Sequence, residues 1–351
     1  MTDPQALPLS PEMGAFLKLI RRQVASERGP SLSTLLAGVS PESLARLAAR
    51  HAMQGFLLRT LEGTEDSGPE YLAAARAVAL PAVAGNLTRI AELHRVMEVL
   101  DSARIPALSL KGPALAVQAY GDVSLRSYDD VDVLVPPEQA QACVRALLEA
   151  GYTDRRARFG LQPSPDHWHD WEFTAPDGKT LVEIHWSLAS PKRYPGVDSE
   201  EAWEASGHTR VELGSGTVQA LRPELLLPLL AIHSASHSWG WLEFPASVAG
   251  LVTRSRDEMD WDATLDRAAR WRIRRMTHLA LLMADDLFGG GPDFLPESVR
   301  QAARKDATAG DLARWFQTRL LLDPDSDWYR GSPALWWQKV RMADSFPASL
   351  R

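Results

Sequence analysis

The segment Asp130-Val131-Asp132-Val133-Leu134-Val135 sets two carboxylates two residues apart in a run of apolar residues rich in valine. Such a run reads as a strand over Val131 to Val135, continuing from Asp130. Residues i and i+2 of a strand share a face, so the two carboxylates project together from α-carbons about 6 to 7 Å apart. Burying an acidic pair this way is costly unless something positive sits beside it or the strand start is solvated. Magnesium, a hard ion that prefers carboxylate and phosphate oxygens, is the natural partner, with manganese as a substitute. Because like charges repel, Asp132→Asn is expected to leave the metal-free stability level or to raise it.

Two further segments extend this pattern. Leu181-Val182-Glu183-Ile184-His185-Trp186 reads as a later strand in which Glu183 interrupts an apolar run. Three acids from two strands can hold metal ions in line with a transferring phosphoryl group. Upstream, Leu108-Ser109-Leu110-Lys111-Gly112 ends a strand and opens a helix, where free backbone amides favour phosphate. Lysine occurs only at 18, 111, 179, 192, 305 and 339, which draws attention to Lys111. Arg126 and Ser127, just before the acidic strand, are candidate phosphate contacts.

The surrounding chain divides into three stretches: a helical segment over 1–85, an α/β core over 86–200 and a helical region over 201–351. Ser40-Pro41-Glu42 supplies a helix cap with a proline in the first turn, and Leu44, Leu47, Ala48 and His51 recur at helical spacing. Leu87 to Asp101 reads as another helix. In the core, Ala107 to Leu110 and Trp171 to Thr174 read as strands, Pro113 to Tyr120 as a short helix, and Glu138 to Ala150 as a helix closed by Gly151. Pro176-Asp177-Gly178 is a turn between two strands. Helical periods return at Pro223–His237, Trp261–Arg270, Met276–Leu287, Glu297–Arg304 and Leu312–Leu322. Gly289-Gly290-Gly291 reads as a linker, since no Lys-Ser or Lys-Thr follows to make it a phosphate loop.

Bulk properties narrow the function classes. A chain of 351 residues with 45% hydrophobic and 24% charged residues can bury a sizeable core, so disorder is excluded. A net charge of -7 offers no general footprint for long duplex DNA or anionic lipid. The single cysteine, Cys143, falls in an amphipathic run and reads as core. Met1-Thr2-Asp3-Pro4-Gln5 lacks a basic start followed by an apolar stretch, and the longest apolar run is broken by Pro228. A cytoplasmic protein without a membrane partner is expected.

The order Leu110-Lys111-Gly112, Arg126, Asp130 to Val135, Gly151-Tyr152 and Val182 to Trp186 resembles the uncharacterised nucleotidyltransferase-like family of the polymerase-beta-type superfamily. The tail is similar too, in His233 to Trp239, Leu242 to Leu251 and Asp260-Trp261-Asp262, so the resemblance spans roughly 85 to 310. It implies an α+β fold: a small mixed sheet with flanking helices, carrying an acidic triad and followed by a helical domain. It further implies catalytic and metal-binding roles for Asp130, Asp132 and Glu183, with phosphate held at Lys111 and Gly112. The expected activity is metal-dependent transfer of a nucleoside monophosphate from a triphosphate, ATP first, to a hydroxyl, with pyrophosphate released. The acceptor is open among a small molecule, a peptide, a protein and an RNA end. Two departures favour the alternative of a degenerate nucleotide-binding or protein-interaction module: Pro113 removes one amide donor, and Ser247 stands where an aspartate is expected.

The remaining polar and aromatic residues are weighed as packing first. His167-Trp168-His169, His185, His233 and His237 would make a zinc site only if three ligands converged. Core packing and hydrogen bonding are the expected roles, with His185 or His233 bordering the nucleotide site. All twelve tryptophans lie at 168 or later, as large anchors for a helical region, with Trp186, Trp239 and Trp241 the candidates for base stacking. The run Arg270 to Arg275 reads as a solvated helix end.

Overall fold

Ser40 caps its helix as the sequence requires: its hydroxyl accepts the Ser43 amide at 3.2 Å, with Pro41 in the first turn. The computed structural model describes residues 7–24, 30–64, 66–289, 291, 293–322 and 333–344. Five helices precede the first strand: α1 (Pro11–Val24), α2 (Leu32–Leu36), α3 (Pro41–Arg50), α4 (Gln54–Glu62) and α5 (Pro69–Ser102). The last is far longer than the expected 87–101, because an alanine-rich stretch extends it backward through Pro81. Its early residues Ala75 and Ala79 pack among the N-terminal helices. Ile90, Leu93, Val96 and Leu100 in its second half pack against the sheet.

Seven strands form one mixed sheet: β1 (Leu108–Ser109), β2 (Asp130–Leu134), β3 (Thr153–Asp154), β4 (Asp170–Thr174), β5 (Leu181–His185), β6 (His208–Leu213) and β7 (Gly216–Leu221). Their spatial order is β3-β4-β5-β2-β1-β7-β6. Two helices are inserted, α6 (Gly112–Tyr120) after β1 and α7 (Ala140–Glu149) after β2, the latter preceded by a short 3-10 turn at Pro137–Gln139. The β6–β7 hairpin lies beyond residue 200, where helix alone was expected, yet β7 pairs parallel with β1 through Ser109 and Ala220. The sheet therefore continues past that point. A two-residue Gly214-Ser215 turn with Gly214 at φ 65 closes the hairpin.

Among the described residues seven more helices follow: α8 (Pro223–Ser236), α9 (Glu243–Ser255), α10 (Trp261–Arg270), α11 (Arg274–Phe288), α12 (Glu297–Lys305), α13 (Ala307–Leu322) and α14 (Pro333–Arg341). Within the expected linker, Gly290 lies outside the described residues. No helix among the described residues is long and apolar enough to cross a membrane.

Strand alternation assigns the two faces of the sheet different tasks. Val131, Val133, Val182 and Ile184 are all fully buried and pack with residues of α5 and α7, including Cys143. On the other face Leu108, Leu110, Leu134 and Leu221 join a cluster shared by the N-terminal and C-terminal helices. That second face also carries the acidic residues of β2 and β5. Its cover comes partly from α6 and α9, which meet closely because Gly250 has no side chain. A Cβ there would lie 2.6 Å from the Ala119 carbonyl oxygen and 2.5 Å from the Tyr120 ring. Gly250→Ala should therefore cost about 1–3 kcal/mol, read as a lower urea midpoint with an unchanged slope; an unchanged midpoint would contradict this contact.

Candidate active site

Parallel pairing of β2 with β5 sets Asp132 opposite Glu183 and Leu134 opposite His185. The pleat that buries the valines turns Asp130, Asp132, Glu183 and His185 to the opposite face. One ligating atom from each of Asp132, Glu183 and His185 falls within 4.8 Å of the others. Glu183 thus stands within reach of a metal shared with Asp132, although 51 positions separate them in the chain. Asp130 lies outside that close group, two residues earlier on the same face and only half-buried.

Asp132 is the centre of the arrangement. It is 2% exposed, and its Oδ1 accepts both the Lys111 ammonium at 3.0 Å and His185 Nε2 at 3.0 Å. His185 Nε2 also lies 3.5 Å from Glu183 Oε2. Lys111 arrives from the β1–α6 turn, where Gly112 adopts φ 53, a conformation that favours glycine, and Pro113 opens the helix. Behind the lysine, His233 of α8 places Nδ1 3.4 Å from Nζ.

These contacts explain the electrostatics. Burial would push the Asp132 carboxyl up, but Lys111 and His185 outweigh it and hold the group well below the carboxylate range. Burial likewise works against the Lys111 charge, and Asp132, Asp130 and Glu183 together leave its pKa above the ordinary value. His185, disfavoured by burial, is raised to about 9 by its hydrogen bonds to Asp132 and Glu183. Asp130 is pushed up to about 6, chiefly by repulsion from Asp132 and then by burial. His233 is lowered well below 6.5 by burial and by the Lys111 charge.

Arg126 is committed to a partner that sequence reasoning missed. Its Nε donates to Glu243 Oε1 of α9 at 2.5 Å, both side chains being buried. The same carboxylate oxygen accepts the Ser247 hydroxyl at 2.5 Å, and Tyr120 Oη lies 3.2 Å from Ser247. Ser247, where an aspartate is expected, thus bonds to a carboxylate one helical turn earlier on α9. Arg126 Nη1 is buried without a protein partner. Ser127, next in the chain, is half-buried. Asn86 of α5 fixes the preceding loop by donating Nδ2 to the carbonyls of Val123 at 2.8 Å and Arg126 at 2.7 Å.

His185 joins the ligand group with Asp132 and Glu183, while the other singled-out histidines have other neighbours. His167 pairs with Ser164 Oγ at 3.2 Å, and His169 with Asp170 at 3.0 Å. His233 and His237 face each other at 4.6 Å between ring centroids, beside Phe244. Trp186 and Trp239 are buried as packing anchors, whereas Trp241 is partly exposed near His237. Within the arginine run, Arg270 pairs with Glu201 at 2.9 Å.

The expectation for Asp132→Asn in the metal-free protein is corrected by these partners. Repulsion falls on Asp130, whereas Asp132 balances two cations. Removing the Asp132 charge strands Lys111 and His185 beside each other and should cost about 3–5 kcal/mol near neutral pH. Asp130 has a native pKa above its unfolded value, so it lowers stability as pH rises from 3.8 through about 6. Asp130→Asn should accordingly raise the metal-free melting temperature above pH 6 and leave it unchanged below pH 4. Melting curves of both variants across that range test the assignment; opposite signs would overturn it.

A solution structure of the antibiotic-resistance factor ANT(2'')-Ia is similar at 14% identity, over 52% of this chain and 91% of that one, with a TM-score of 0.38. No curated protein matches the chain significantly. The model of a family described as uncharacterised nucleotidyltransferase matches residues 37–289. That span begins in the turn between α2 and α3 and ends just after α11, covering the sheet, the acidic strands, Lys111 and the α8–α9 wall. The chain belongs to this uncharacterised nucleotidyltransferase family.

Proposed function

We propose that the protein transfers a nucleoside monophosphate from a nucleoside triphosphate, ATP first, to a hydroxyl acceptor in a metal-dependent reaction. The observation that carries this reading is the convergence on Asp132 of β2 by Glu183 and His185 from β5 and by Lys111 from the β1–α6 turn. Two carboxylates with a third just upstream suit a hard divalent cation, and the positive groups beside them suit a polyphosphate. Asp132, Glu183 and Asp130 would hold magnesium or manganese, which supplies positive charge to the triphosphate and activates the attacking oxygen.

The protein's own residues account for binding and orientation. Lys111 stands at the start of α6, where its ammonium and the Gly112 turn face the acidic strands, and it offsets phosphate charge. Arg126, held by Glu243, keeps Nη1 as a free donor for a phosphate oxygen. His185 orients the Asp132 carboxylate by bonding its Oδ1. In the reaction, the acceptor oxygen forms a bond to the α phosphorus as the bond to the bridging oxygen breaks. Pyrophosphate leaves with that electron pair, and the hydroxyl proton passes to a base or to solvent.

Incubating the full chain with α-labelled triphosphates, Mg2+ and a panel of hydroxyl acceptors tests this reading. Pyrophosphate release should stop on adding chelator and fall by at least about 100-fold in Asp132→Asn and Glu183→Gln, as expected when a charge-stabilising group is removed. Pro113 supports the alternative of a nucleotide-binding module without turnover, because it takes an amide donor from the phosphate turn. Saturable triphosphate binding with no pyrophosphate from any acceptor would favour that alternative.

A further inference from the structure

Helix α8 is almost wholly buried from Leu225 to Ala235, and its apolar run gives way to a histidine facing the active site. His233 is there because α8 packs beneath α9: Phe244 meets its ring edge-on at 5.5 Å and 81°, and His237 lies 4.6 Å away. Its Nδ1 is 3.4 Å from Lys111 Nζ. An ammonium has three donors and no acceptor, so Nδ1 must accept and the ring proton must reside on Nε2. Lys111 is thereby held between a carboxylate at 3.0 Å and a neutral acceptor.

The neutrality of that second partner has a chemical consequence. A carboxylate at position 233 would fix the lysine equally well but would cancel its charge. A neutral imidazole directs the ammonium and leaves its charge available to an anionic ligand. When a cation competes for Asp132, the lysine still has a partner on the other side to keep it at the edge of the site.

We propose that His233 is a positioning residue that aims the Lys111 ammonium at the triphosphate. The inference rests on the reading of Lys111 as a triphosphate ligand, and it deepens that reading by adding a residue from the helical half of the chain. His233 touches no reacting atom; its influence passes through Lys111 alone.

A double-mutant cycle on the full chain tests this, with Mg2+–ATP as the probe and calorimetric binding as the readout. His233→Leu should weaken binding about tenfold, as Lys111→Met does, and the two together should be no weaker than Lys111→Met alone. His233→Asn, whose amide oxygen can replace Nδ1, should stay within about threefold of the parent and serves as the test should the leucine variant misfold. The acylation rate of Lys111 in the nucleotide-free protein, read by peptide mass, should change several-fold in His233→Leu and little in His233→Asn. A merely structural histidine would leave that rate unmoved. If Lys111→Met weakens binding but His233→Leu does not, or if the two effects simply add, the positioning role is overturned while the reading of Lys111 stands. If Lys111→Met itself binds like the parent, Lys111 is no triphosphate ligand and both fall.

Discussion

Asp132 is a carboxylate buried in the middle of a hydrophobic strand, and its charge can stay there only because Lys111 and His185 meet the same oxygen. That requirement reaches far into the architecture. His185 must lie on the neighbouring strand in parallel register, which brings Glu183 opposite Asp132. Lys111 must leave β1 at the point where the chain turns into α6, which calls for a left-handed residue and explains Gly112. The lysine then needs a wall behind it, which α8 supplies through His233. Loss of Lys111 or His185 takes from the buried Asp132 charge one of the two partners that balance it.

A second buried pair ties the helical half to the same site. Arg126 precedes the acidic strand and Glu243 opens α9, so their ion pair fixes the loop that leads into β2. Ser247 and Tyr120 extend the network to α6, and Gly250 lets α6 and α9 approach closely enough for it to form. The helices that cover this face therefore hold the Lys111–Gly112 turn and the acidic strand in one relative position. Catalysis by preorganised charge depends on such rigidity, because side chains that must reorganise lose part of their effect.

Local sequence carried the acidic strand, its partner strand and most helices, because alternation, proline and glycine punctuation and helix caps act within a few residues. Ser40 and Gly178 are examples, since each does what its neighbours demand. The β6–β7 hairpin also carries a local signature in Gly214-Ser215, a short turn set among exposed polar residues. Other features had none. The partner of Arg126 is 117 residues away, and the separation between Lys111 and His233 is 122. Likewise, Asp130 and Asp132 look equivalent in sequence, but only the fold shows that one is repelled and the other doubly paired.

The most direct measurement is a crystal structure of the protein with Mn2+ and a non-hydrolysable triphosphate, using the anomalous signal to locate the ion. Manganese is expected within about 2.2 Å of carboxylate oxygens from Asp132 and Glu183, with the Lys111 ammonium on a phosphate oxygen. A triphosphate bound elsewhere, with no ion on these carboxylates and Lys111 still paired to Asp132, would contradict it.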